Sequence, residues 1–232
     1  MVVPVRMTSS RFPGKPLAEV QRRPLLEYLL RRLGKGHRAS PVIVATSTDR
    51  SDDPIAAYCD ESGVACYRGL LEDVAGRFIG VLAAFDLDGF VRISGDSPLI
   101  DWRLVERAIE VFQGASFDLV TNCFPKTFPR GESVEIVSRK TFEEAYPKMK
   151  DPADREHVTI FFYRNPREYR IHNITCSHGD YSRVQLSVDT QEDFRLFTNL
   201  LGEMKRPFED YTWEEIDELR QNLAKRPHSS SA

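Results

Sequence analysis

Val2-Val3-Pro4-Val5-Arg6-Met7-Thr8-Ser9-Ser10-Arg11-Phe12-Pro13-Gly14-Lys15-Pro16-Leu17 runs from a short apolar stretch straight into a basic, hydroxyl-rich turn. Arg6, Arg11 and Lys15 supply three fixed cations, Ser9 and Ser10 supply hydroxyls, and Pro13-Gly14 supplies a turn. That is the composition of a phosphate cradle, in which guanidinium forks and an ammonium bring charge while hydroxyls and turn amides bring donors. It is not a Walker loop, because no glycine stands at the required earlier position and Pro16 rather than Ser or Thr follows Lys15. Alone, a solvated basic turn has the same composition. The rest of the chain must supply what a bound polyphosphate needs.

Outward from that stretch, strand and helix patterns alternate for about 120 residues, the signature of a parallel sheet with crossover helices. Val2 to Val5 reads as a first strand. Leu25, Leu26, Leu29, Leu30 and Leu33 form a helical stripe entered at Pro24 and stopped near Gly34 and Gly36. Pro41 to Ala45 is an apolar strand, and Asp52, Asp53 and Pro54 open a helix that Gly63 ends. A strand over Val64–Tyr67, a helix over Glu72–Phe85, a strand over Phe90–Ile93, a helix over Trp102–Phe112 and a strand over Phe117–Val120 complete the regular part. From Asn122 to about 182 the pattern mixes, interrupted by Pro125 and Pro129, and reads as a small inserted α+β segment on the same sheet that carries substrate specificity. Val184–Val188 reads as a returning strand, followed by helices over Gln191–Leu201 and Thr212–Ala224. The expectation is one domain over residues 1–225 and a disordered tail over 226–232.

Composition narrows the function classes. No apolar run reaches membrane-span length and no signal-peptide pattern opens the chain, so the expected setting is cytoplasmic, without a membrane partner. Cys59, Cys66, Cys123 and Cys176 form no C-x-x-C pair and read as reduced. His172, Ile174, Cys176 and His178 alternate along one face, but soft ligands on one strand cannot wrap an ion unaided. The first fifty residues carry ten Lys/Arg against three Asp/Glu, and the remainder is net acidic by ten. A basic lobe on an acidic protein suits a small polyanion rather than nucleic acid.

A second informative site is Ser94-Gly95-Asp96-Ser97-Pro98, directly after a buried strand. Ligands of open parallel sheets bind beyond the carboxyl ends of the strands. Gly95 lets backbone approach a ligand there, and a carboxylate at Asp96 can hold a hard divalent cation that bridges phosphate oxygens. Ser187-Val188-Asp189-Thr190 repeats the arrangement, so neighbouring strands would turn Asp96 and Asp189 into one crevice. The competing reading is capping: Asp96 for the helix near Asp101, and Asp189 or Thr190 for the helix at Gln191, with Thr190 and Asp193 as a capping box.

With these pieces in hand, the chain resembles the cytidylyltransferases that make CMP-activated acidic sugars. It is most similar to the spore-coat polysaccharide branch and is related to the acylneuraminate and deoxy-octulosonate enzymes. The resemblance rests on Arg6 to Leu17, Val44 to Ser47 with Asp52 to Ile55, and Tyr67-Arg68-Gly69 with Asp73, Val74 and Arg77. It continues through Arg92 to Asp101, Phe128-Pro129 with Gly131, Val134-Glu135, Asp154 to Thr159, and Arg183 with Val188-Asp189-Thr190. It implies a Rossmann-like nucleotide-diphospho-sugar transferase fold, CTP as donor, Mg²⁺ as the ion, and a role in surface polysaccharide synthesis. By carry-over, Arg6, Ser9, Ser10, Arg11 and Lys15 hold the triphosphate, with Ala45, Thr46 and Arg77 near cytosine and ribose. Asp96 and Asp189 hold the metal, and Arg11, Lys15 and Asp96 are catalytic. Glu135, Arg155, His157 and Arg183 fall where the family contacts its acceptor. Ser94 stands where the octulosonate enzymes carry Gln, so their acceptor specificity does not carry over. The first strand is also short at its start, as a trimmed or misplaced beginning would make it.

Three further expectations stay open on the sequence. His157 either serves the acceptor or is a core-edge histidine, and Arg130 with Glu132 reads as a lip over the acceptor site or as exposed loop. The Phe161-Phe162-Tyr163 cluster is either the face of a homodimer or core. A glycosyltransferase using a nucleotide sugar is the alternative activity, for which Asp86-Leu87-Asp88 has the metal-motif spacing but the wrong place in the sheet. A non-catalytic nucleotide-binding module is the third reading, and two metal carboxylates argue against it.

Overall fold

Apolar residues alternate sides along every central strand, and each side meets its own layer of helices. The computed structural model describes residues 1–36 and 41–226. In chain order the elements are β1 (Val2–Pro4), β2 (Glu19–Val20), β3 (Arg23–Pro24), α1 (Leu25–Lys35), β4 (Ile43–Ser47), α2 (Asp53–Glu61), β5 (Ala65–Gly69), α3 (Val74–Ala84) and β6 (Gly89–Arg92). They continue with α4 (Trp102–Gly114), β7 (Leu119–Thr121), β8 (Glu135–Ser138), α5 (Arg139–Ala145), α6 (Pro152–His157), α7 (Ile160–Arg164), β9 (Ile171–Asn173), α8 (Gln191–Glu203) and α9 (Trp213–Lys225). Seven strands form one sheet in the order β5-β4-β1-β6-β8-β7-β9, and β2 pairs with β3 in a separate ribbon. All neighbours in the large sheet are parallel except β8, which runs antiparallel to both β6 and β7.

Val2, Ile43, Ala45, Phe90, Leu119 and Val137 face the layer of α3, α5, α6 and α7. Val3, Val44, Val91, Val120 and Ile136 face α1, α2, α4, α8 and α9. This two-sided burial is why the strands read as unbroken apolar runs. Phe78, Phe90 and Phe142 meet edge to face with centroids 4.6 to 6.3 Å apart and pin α3 and α5 onto β6. On the other face Arg32 of α1 is fully buried, donating to the carbonyls of Ile100 (2.5 Å), Phe208 (2.6 Å) and Tyr211 (2.8 Å). It ties α1 to the start of α4 and to the turn before α9.

One expected strand is corrected here. Val184–Val188 is not a strand of the sheet: the place beside β6 is taken by β8, and the segment instead grips the turn at Arg130, whose carbonyl accepts from Leu186 (2.8 Å) and Ser187 (2.9 Å). Of the two readings left open for the Phe161-Phe162-Tyr163 cluster, the structure places Phe161 and Phe162 in the core, with Phe162 fully buried against Tyr169, and leaves Tyr163 half-buried. Of the tail expected over residues 226–232, Arg226 is ordered instead, ending α9 and pairing with Glu203 at 2.7 Å, and residues 227–232 lie outside the described residues. No described helix is long and apolar enough to cross a membrane.

Candidate active site

The loop after β1 is fastened before it becomes a cradle. The Val5 amide donates to the Ala45 carbonyl (3.1 Å), and the Met7 amide donates to Asp52 Oδ1 (2.7 Å). Asp52 sits before α2, as the helix-opening pattern predicts, but its side chain caps nothing. Fully buried, it ties Met7 to Ser47, whose amide it accepts at 3.2 Å. The Met7 carbonyl then closes the loop by accepting from Ser9 and Gly14, each at 3.0 Å. Gly14 holds φ at +74°, a left-handed turn that favours glycine and that delivers Lys15 inward.

Lys15 is buried and donates to the Val188 carbonyl at 2.6 Å. Its Nζ lies 3.8 Å from Asp96 Oδ2 and 3.8 Å from Asp189 Oδ1. The two carboxylates are therefore separated by no more than twice that distance, although their segments are not neighbouring strands. What joins the segments is the Val188 amide, which donates to the Asp96 carbonyl at 2.8 Å. Arg11 reaches Asp189 Oδ1 at 2.9 Å from the open side, and Arg6 pairs with Glu156 at 2.8 Å.

Capping does not consume either acid. Asp101 caps α4 through the Arg103 amide at 3.0 Å, and Thr190 with Asp193 forms the capping box of α8. Asp96 and Asp189 remain free to face the cleft. Gly95 lines the cleft and also lets the turn close onto β1, since a Cβ there would lie 2.7 Å from the Pro4 carbonyl oxygen.

A single cleft of about 340 Å³ at the carboxyl ends of the parallel strands is lined by Arg6, Ser9, Ser10, Arg11, Lys15, Arg77, Asp96, His157 and Asp189. Arg77 projects from the first turn of α3 and donates to the Ala45 carbonyl at 3.1 Å, leaving its buried Nε without a partner. Burial pulls its pKa down, with Asp52 and Glu156 opposing. Ala45 and Thr46 are fully buried beneath the cleft and do not line it. The Asp86-Leu87-Asp88 motif precedes β6 and so lies at the opposite edge of the sheet, where Asp86 pairs with Arg139 at 3.2 Å.

Of the acceptor residues, only His157 lines the cleft. It is held by a strained turn: Val158 is fully buried at φ +60° and ψ −64°, and the Thr159 amide donates back to the His157 carbonyl at 2.6 Å. Such a γ-turn at a β-branched residue costs about 1–3 kcal/mol. It turns His157 to the cleft and Thr159 to the interior. Arg155 is committed elsewhere, donating to Asp73 (2.8 Å) and the Met149 carbonyl (2.9 Å) while lying over the Tyr146 ring. Arg183 is exposed and does not line the cleft. Glu135 is buried and spent on protein partners: Arg92 (2.5 Å), Thr159 (2.7 Å) and Tyr163 (2.5 Å). Burial opposes the Arg92 charge, but the Glu135 carboxylate outweighs it and holds that pKa above its ordinary value. Burial and the same carboxylate push the Tyr163 phenol strongly up. Glu132 is likewise no lip, being fully buried with Oε2 accepting from the Asp101 amide at 2.8 Å.

Arg92 and Glu156 line the cleft, and Asp52 braces it from below, although the sequence reading gave none of the three a role in the site. Arg92 lies inside an apolar strand and Glu156 inside a short helix, and neither carries a local signal. No group of three or more His, Cys, Asp or Glu side chains able to hold a metal occurs among the described residues, so the His172–His178 face forms no such centre. His172 instead stacks near Phe117, centroids 4.8 Å apart.

An open, mostly parallel sheet with a cation-lined cradle facing Asp96 and Asp189 is the arrangement of a nucleotidyltransferase. The solved cytidylyltransferase of Leptospira borgpetersenii serovar Hardjo-bovis superposes with a TM-score of 0.90 at 25% identity, covering 96% of this chain and 93% of that one. The fold is the Rossmann-like nucleotide-diphospho-sugar type. Among sequence relatives, protein MJ1063 of Methanocaldococcus jannaschii is 32% identical over 86% of this chain and 81% of its own length. The spore coat polysaccharide biosynthesis protein SpsF of Bacillus subtilis is 27% identical over 83% and 82% respectively. A model of the Cytidylyltransferase family matches residues 1–225, and the chain belongs to that family. It is a CTP-dependent nucleotidyltransferase.

Proposed function

We propose that the protein transfers CMP from CTP to an acidic sugar or related anionic acceptor, releasing pyrophosphate, in the synthesis of a surface polysaccharide. The observation that carries this reading is Lys15 Nζ standing 3.8 Å from both Asp96 and Asp189. One cradle cation and two acids thus share a point at which a triphosphate and its counter-ion would meet. Arg6, Ser9, Ser10, Arg11 and Lys15 grip the triphosphate, and Arg77 lies toward the nucleoside. An acceptor oxygen attacks the α-phosphorus and pyrophosphate leaves, so catalysis is positioning and charge neutralisation. Lys15 and Arg11 stabilise the charge that builds on the leaving pyrophosphate.

Two aspartates with phosphate and water oxygens form the hard donor set that Mg²⁺ takes, so Asp96 and Asp189 fit as its holders. When bound, the ion neutralises phosphoryl oxygens and lowers the barrier to attack. The four free thiols accord with a reducing, cytoplasmic setting.

The test is pyrophosphate release with each nucleoside triphosphate, Mg²⁺ and a panel of sugar acids. CTP preference with one responding acceptor is expected, and Asp96→Asn should lose at least about 10²-fold in turnover with its melting temperature kept. Equal use of all four triphosphates, or full turnover in that variant, refutes the reading.

A further inference from the structure

Two arginines outside the triphosphate cradle line the cleft: Arg77, which donates to the Ala45 carbonyl, and Arg92. Arg92 ends β6, four residues before Asp96, and lines the same cleft. Its Nη1 donates to Glu135, its Nε is buried with no partner, and its Nη2 makes no hydrogen bond among the described residues. Nε and Nη2 form one edge of the planar guanidinium, and two parallel N–H groups on such an edge match the two oxygens of a carboxylate. A buried donor without a partner costs about 1–3 kcal/mol, which a ligand oxygen recovers.

Glu135 is fixed so that it serves only the far side of that guanidinium. Its Oε1 accepts from Thr159 at 2.7 Å and from Tyr163. Tyr163 in turn is held by Thr121 at 2.8 Å and stacks on Phe124 with centroids 4.9 Å apart. The antiparallel course of β8 places Glu135 directly across from Arg92 in register, and across from Thr121 on the other side.

We propose that the Nε–Nη2 edge of Arg92 receives a carboxylate of the acceptor and sets its specificity, with Glu135 as the positioning residue. This rests on the acceptor-transfer reading above. Local charge selects a monoanion. Glu135 already pairs with Arg92, so this guanidinium has little surplus charge to match a phosphate or phosphonate dianion.

The experiment uses the intact protein with CTP, Mg²⁺ and 3-deoxy-manno-octulosonate or another responding sugar acid, alongside its carboxamide and a sugar phosphonate. Arg92→Lys keeps the charge beside Glu135 and so keeps the buried pair intact, but it cannot present the fork. It should raise the KM of the sugar acid about 10- to 100-fold, leave CTP affinity by calorimetry unchanged, and barely alter the carboxamide. Glu135→Gln should raise the same KM in the wild-type background and add nothing in the Arg92→Lys background, because it acts through Arg92. Equal weakening of the sugar acid and carboxamide, loss of CTP affinity, or preference for the phosphonate overturns the assignment. If the wild type binds CTP yet turns over no carboxylate acceptor, the acceptor reading itself fails; turnover indifferent to Arg92→Lys sinks this inference alone.

Discussion

Replacing Glu132 by Gln should turn a pH-dependent part of the protein's stability into a flat one. Glu132 is fully buried; Oε2 accepts from the Asp101 amide at 2.8 Å, and Oε1 has no partner. Burial, with the Asp101 carboxylate adding repulsion, lifts its pKa well above the usual glutamate range despite the opposing pull of Arg32. The folded chain therefore keeps a proton on this group at pH values where the unfolded chain has lost it. Stability from that proton is complete below the unfolded-state pKa of about 4.3 and is lost as pH rises through the folded-state value. Within that window the loss is about 1.4 kcal/mol for each pH unit. Gln keeps an oxygen for the Asp101 amide and has no proton to lose, so whatever its amide costs is a constant offset. Urea unfolding at half-unit steps from pH 5 to 8 measures both proteins, with Trp213, whose amide donates to Asp101 Oδ2 at 3.1 Å, as the fluorescent reporter. The difference, variant minus wild type, should climb at that slope and level off at the folded-state pKa. A difference that stays constant across the range, with equal m-values, refutes the assignment of a proton to Glu132.

Arg32→Met strands three buried carbonyls and should cost about 3–5 kcal/mol in urea unfolding. Arg155→Ala breaks the contacts to Asp73, Met149 and Tyr146, so its melting temperature should fall while the KM values for CTP and acceptor stay within twofold. A selective rise in acceptor KM would restore Arg155 to the site. Gly95→Ala forces a methyl against the Pro4 carbonyl oxygen and should lose about 1–3 kcal/mol, read by thermal unfolding.

The cationic side of the cleft was legible because its chemistry is contiguous: Arg6, Ser9, Ser10, Arg11 and Lys15 lie within ten residues, and composition alone declares their charge. The sheet was legible where strand and helix alternate, since both faces of each strand are buried. The surroundings of Arg155, Glu135 and Arg92 were not, because they are set by partners distant in sequence. Arg155 meets Asp73 from 82 residues away, and Arg92 meets Glu135 from 43. Nothing local reveals that a charged residue in an apolar strand faces a cleft, or that a carboxylate at a strand start is already spoken for. The strand misread at Val184–Val188 has the same origin: β8 enters the sheet against the alternation and takes the position that the pattern assigned elsewhere.

The reversed course of β8 also bears on how this scaffold can change. Thr121 and Glu135 are paired neighbours, so the intervening excursion leaves the sheet and returns to it at one spot on the rim. Asn122 buttons its base, accepting the Val134 amide at 2.9 Å and donating to the Glu132 carbonyl at 2.6 Å. A detour closed at its root can be exchanged for one of another length at a chain-entropy cost of only about 0.6 kcal/mol per doubling. That tolerance belongs to the exposed tip at Phe124-Pro125, while the buried Phe128 and Glu132 and the Arg130 carbonyl that holds Leu186 and Ser187 anchor the rest of the detour to the body of the chain.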